Sequence, residues 1–137
     1  MSYGVVCRVN NRETIIYVGG FELPDKNAAA HRVVANAKIL SDLGYRVVLI
    51  GVNQSSNKEL LAHENTIKGT QVECCSVPYP QTYFQWAKRM VSAKSVRDIV
   101  GRCDGRVKAV ICYNYPAIAM LGVRKVCRDI DAFFVSD

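Results

Sequence analysis

The chain has 137 residues, half of them hydrophobic and 22% charged, with a net charge of +6. That is the length of one domain, with enough apolar content for a core, and it excludes disordered and low-complexity classes. No apolar run reaches the roughly 20 residues of a membrane-spanning helix, and the opening MSYGVVCRVNNRE lacks the apolar segment of a secretory signal, so a soluble, intracellular protein is expected.

Residues 1–12 precede the first clear pattern and carry no readable role. Thr14–Gly19 is apolar and β-branched, the pattern of a buried strand, and it leads through Gly19-Gly20 into a polar loop with Pro24. Asp25 or Asn27 can cap the helix that follows, in which Ala30, Val33, Ala37 and Leu40 share one face. Gly44 is placed to stop that helix. RVVLIGV, residues 46–52, is apolar on both faces and reads as a fully buried second strand. NKELLAHENTIKG reads as a short helix. Gln71–Val77 reads as a third strand, broken by PYPQ.

Gln81–Arg102 reads as one long amphipathic helix with Phe84, Ala87, Val91 and the stem of Lys94 inward. Val107–Tyr113 is a fourth strand, followed by a helix begun near Pro116 with Met120, Val123 and Cys127 on its apolar face. AFFVSD starts a fifth strand. Strand–helix alternation of this kind predicts an α/β fold over residues 13–137, a Rossmann-like parallel sheet flanked by helices, with its post-strand loops along one edge. Ligands bind along that edge in open α/β sheets.

Familiar cofactor signals are missing. A dinucleotide site needs G-x-G-x-x-G and an acid closing the second strand. Here a bare glycine pair is followed by GVNQ at that second position. GGFELPDK likewise lacks the second glycine and the hydroxyl of a phosphate loop. The six cysteines form no C-x-x-C pair, and His31 and His63 lie far apart, so no metal site can be assembled. Buried reduced thiols are the expectation.

The run YVGGFELPDKNAAAHRVVANAKILSDLGYRVVLIGV, with its Leu-x-x-x-Gly-Tyr-x-Val ending over 40–47, resembles the amino-terminal half of glycosyltransferase family 4. These are retaining nucleotide-sugar transferases of GT-B architecture. AVICYNYPAIAMLGVRKVCRDIDAFFVSD is similar to the fourth strand, helix and fifth strand of bacterial members that build surface polysaccharides. The resemblance spans roughly 14–52 and 107–137. It implies a cleft in which Gly19 and Gly20 admit the donor diphosphate or transferred sugar, with Lys26, Asn27, His31 and Arg32 at the start of the first helix and Tyr113, Asn114 and Tyr115 after the fourth strand. Amides at a helix start suit such an anion on physical grounds too.

The resemblance further implies metal-independent transfer from a nucleotide sugar to a glycan or lipid-linked acceptor in the cytoplasm, with no separate cofactor. It assigns no catalytic residue. Family members bind the donor mainly through a carboxy-terminal domain with paired glutamates. The expectation is therefore an incomplete amino-terminal part, inactive alone and completed by a second domain in trans.

Seven bases and two acids fall between Thr82 and Lys108, so that window carries +5 of the net +6. Lys88, Arg89, Lys94 and Arg97, with Trp86, form a basic helix suited to an anionic membrane or an acidic partner. The resemblance implies a peripheral position on the inner leaflet. No recognised motif supports nucleic-acid binding. Two other readings stand beside the transferase: a non-catalytic Rossmann-like module that pairs with a partner chain, and a flavodoxin- or response-regulator-like domain. The latter is disfavoured because no acidic cluster closes the strands.

Overall fold

A computed structural model describes residues 12–23, 27–53, 67, 70, 72–103 and 105–137, and the backbone of 62–64. Its elements are β1 (Thr14–Glu22), α1 (Ala28–Asp42), β2 (Arg46–Asn53), β3 (Ala62–Glu64), β4 (Val72–Pro78), α2 (Tyr83–Val91), α3 (Lys94–Arg102), β5 (Val107–Tyr113), α4 (Ala117–Asp129) and β6 (Phe133–Ser136). One sheet runs in the order β3-β4-β2-β1-β5-β6. Five strands are mutually parallel, and β3 pairs antiparallel with β4 at the edge. The architecture is the expected Rossmann-like α/β fold.

Burial explains the order. All of Val47–Val52 is buried in β2, as is Thr14–Val18 in β1, so these apolar strands lie centrally under both helix layers. On one face, Ala30, Val33 and Ala37 of α1 pack on Tyr17, Phe21, Leu49 and Cys74. On the other, Val96 and Ile99 of α3 and Val123 and Cys127 of α4 pack on Ile16, Val18, Ile50 and Val110. The chain steps outward from β1 to β2 and β4, then returns to β5 on the other side of β1. Right-handed crossovers put helices formed after that reversal on the opposite face from α1.

Local chemistry fixes the helix ends. Asn27 caps α1 by accepting the Ala30 amide at 2.8 Å, and Gly44 takes φ +97° beyond its C-terminus. A bidentate pair at 2.9 and 2.8 Å joins Arg46 to Glu73 and ties the start of β2 to β4. Cys74, Cys75, Cys112 and Cys127 are buried and, with Cys103, form no disulfide among the described residues. Cys7 lies outside those residues.

Three expectations are corrected. First, the single helix over 81–102 is two. A capping box joins Thr82 and Gln85 at the start of α2, the chain turns extended at Ser92, and the Ser92 hydroxyl accepts the Lys94 amide at 3.2 Å. Ala93 is buried at the break, where a Cβ on Gly122 of α4 would approach the Ala93 Cβ to 3.0 Å. The chain bends because small residues bring the two helices together there. Consequently Phe84 and Val91 are exposed instead of inward, and Val96 and Ile99 supply the core contacts.

Second, within the stretch expected as a short helix, 62–64 is a strand registered Ala62↔Ser76 to Glu64↔Cys74. Pairing with the open edge of β4 outweighs the local helical pattern, and most of the flanking stretch lies outside the described residues. Third, Gly19 and Gly20 are not a turn. β1 continues to Glu22, and its register with β2 shifts between Val18 and Glu22. A Cβ on Gly19 would collide with the Tyr113 carbonyl oxygen, so glycine here permits close strand packing.

Candidate functional site at the strand crossover

The point where strand order reverses lies between β1 and β5, and it collects most of the residues singled out from sequence. Gly19 of β1 is registered with Tyr113 of β5. Asn114 follows in the left-handed region at φ 45°, a conformation asparagine tolerates, and its carbonyl oxygen lies 3.7 Å from where a Gly20 Cβ would be. Arg32 of α1 stacks over the Tyr113 ring at 5.4 Å. In open parallel sheets the crevice outside the carboxyl ends of the two diverging strands is the usual ligand site.

The residues divide by what already occupies them. Asn27 is spent on the helix cap. Arg32 donates to Asp137 at 2.6 Å, and the same carboxylate accepts the Tyr17 hydroxyl, which Asn36 also approaches at 3.4 Å. Burial, then the hydrogen bond to Asp137, push Tyr17 up to about 12. Arg32 therefore closes a polar knot on the α1 side, its charge already matched. His31 is exposed, and its backbone amide donates to the carbonyl of the cap residue Asn27. Lys26 lies outside the described residues.

The basic helix also divides. Lys88, Lys94 and Arg97 are exposed. On α2, all of which is described, no residue is buried, and Tyr83 is 90%, Phe84 78% and Val91 57% exposed, with Trp86 and Met90 partly open. Arg89 goes elsewhere. It is half-buried, and its Nη2 lies 4.0 Å from where a Gly20 Cβ would be. Burial pulls its pKa down, and the nearby Tyr115 and Tyr79 oppose that fall.

Sequence reasoning placed Arg89 on the outer surface, set Tyr115 beside Tyr113 and Asn114 as a sugar contact, and passed over Tyr79. The signal was available as a stripe: Trp86, Arg89 and Ala93 sit at i, i+3 and i+7 on one side of a helix. In the structure Trp86 meets Tyr79 edge-on at 5.3 Å, and Ala93 is buried. The Tyr115 hydroxyl donates to the Ser92 carbonyl at 3.4 Å, and burial raises its pKa, so it is a neutral phenol at the crevice wall.

No protein-family model, curated protein or solved structure matches the chain. Among the described residues no group of three or more His, Cys, Asp or Glu side chains is placed to hold a metal ion, and no helix is long and apolar enough to cross a membrane.

Proposed function

We propose that this chain is the amino-terminal, acceptor-side part of a retaining glycosyltransferase that takes a sugar from a nucleotide-sugar donor to a glycan or lipid-linked acceptor. The observation that supports it is the crevice between β1 and β5. Gly19 and Gly20 bring bare backbone to the reversal point, Tyr113 and Asn114 face them from the next strand, and a guanidinium stands on the α2 side. Aromatic faces and amide groups suit sugar rings, and a desolvated cation suits the leaving diphosphate. The donor's nucleotide would be held mainly by a second domain, as the resemblance implies. The exposed aromatics of α2 beside Lys88, Lys94 and Arg97 suit contact with an anionic membrane that carries the acceptor.

Amide resonances in a labelled chain titrated with UDP- and GDP-sugars provide the test. Shifts should concentrate at Gly19, Gly20, Tyr113 and Asn114. A chain that shows none there, even with a carboxy-terminal domain supplied in trans, would remove the reading. The alternative, a non-catalytic module that pairs with a partner chain, draws on the exposed Phe133 and Val135 of the edge strand β6. Failure with the sugars but tight association with another polypeptide through β6 would favour it.

A further inference from the structure

Arg89 stands out among the cations of this chain. It is half-buried, and among the described residues no carboxylate pairs with it and no hydrogen bond holds it. Removing a guanidinium from water without a counter-charge costs free energy, and structures normally avoid it. Exposed lysines and arginines elsewhere on the chain show that a solvated position was open to a basic residue. Here Trp86, packed on Tyr79, and the buried Ala93 hold α2 so that Arg89 faces the carboxyl edge of β1.

Among the described residues no carboxylate acts on its charge. Tyr79 and Tyr115, the groups that act on its charge, are phenols and not acids. Gly20 offers no side chain, and the nearest atom a Cβ there would meet is the Asn114 oxygen at 3.7 Å, an ordinary contact distance. Arg32, across the crevice, is neutralised by Asp137. A cation unmatched among the described residues, two phenols and a glycine backbone at the strand reversal suit a compact oxyanion.

We infer that Arg89, walled by Tyr79 and Tyr115 and facing Gly20, is the anchor of a phosphate-class site, binding a phosphate or diphosphate group through its planar donor fork. Bidentate pairing with phosphate oxygens is the chemistry guanidinium does best. The site stands whether or not the group belongs to a sugar donor.

Calorimetric titration of the full chain with pyrophosphate, at about 0.15 M salt to suppress diffuse attraction, tests it. Saturable binding is expected, weakened roughly tenfold or more in Arg89→Gln. Lys38→Gln, which removes the same charge from the exposed side of α1, should bind as the wild type does. Thermal melting of unliganded Arg89→Gln should be unchanged or higher, because no partner among the described residues is lost and a desolvated charge is gone. In the unsubstituted protein the Arg89 Nε–H resonance should move on adding pyrophosphate, a readout that needs no variant to fold.

Absence of saturable binding, an equal loss in Lys38→Gln, an unmoved Arg89 resonance or a lower melting temperature in Arg89→Gln would overturn the inference, the last by showing a structural role. Competition by UDP would assign the phosphate to a soluble nucleotide, and competition by phosphatidylglycerol vesicles to a lipid headgroup. If pyrophosphate binds through Arg89 while nucleotide sugars leave the Gly19–Asn114 crevice unperturbed, the anion site stands and the sugar-transfer reading falls.

Discussion

Two adjacent glycines carry different loads. Sequence pattern treats Gly19 and Gly20 alike, as a loop that admits a ligand. At Gly19 a Cβ would strike the Tyr113 carbonyl oxygen, a backbone atom that can move only by opening the β1–β5 ladder. Gly20 would place its Cβ in ordinary contact, 3.7 Å from the nearest atom. Gly19→Ala should therefore cost about 1–3 kcal/mol or more of unfolding free energy. Gly20→Ala should stay within about 0.5 kcal/mol yet crowd the space before Arg89. Urea unfolding of both variants separates the roles, and equal losses would contradict the packing described for Gly19. The collision could not be read from the sequence, because the partner atom belongs to a residue 94 positions further along the chain.

Among elements, strands were more legible than helices. The apolar runs of β1, β2, β4 and β5 announce themselves because central parallel strands are buried on both faces, and the Asn27 cap and Gly44 stop were visible as local chemistry. The region after β4 was misread because amphipathic spacing is nearly continuous across Ser92, while the break depends on Ala93 meeting Gly122 of α4. The Thr82–Gln85 capping box was legible and overlooked. The two readings assign the core to different residues. Ile99→Ala, in α3, should cost about 2–5 kcal/mol, whereas Phe84→Ala, in α2, should change stability by no more than about 0.5 kcal/mol and reduce co-sedimentation with phosphatidylglycerol vesicles. A large loss on truncating Phe84, measured by urea unfolding, would restore the single inward-facing helix. Unchanged co-sedimentation would remove α2 from the membrane proposal.

For the whole molecule, the core is lined with ionisable groups held neutral. Burial first, then the Glu73 charge, push Cys75 from its ordinary 9.0 up to about 12, and burial with Cys127 beside it does the same for Cys112. Tyr17 is raised from 10.0 to about 12. The folded-state values lie above the unfolded ones, and for these groups the neutral form is the protonated one. Above pH 9 the unfolded chain therefore releases thiol protons that the folded chain retains. Stability is unaffected by these groups below that point and falls with rising pH above it, by about 1.4 kcal/mol per pH unit for each thiol. Tyr17 joins above pH 10. Urea midpoints collected from about pH 8 to about pH 10.5 should be flat at first and then drop. Cys112→Ala should begin lower, having lost buried apolar volume, but descend with a shallower slope because one of the three buried thiols with raised values, Cys75, Cys112 and Cys127, no longer titrates in the unfolded chain. A slope identical to the wild type would mean that Cys112 reaches water in the folded protein, and the close packing of β5 against α4 would have to be abandoned with it.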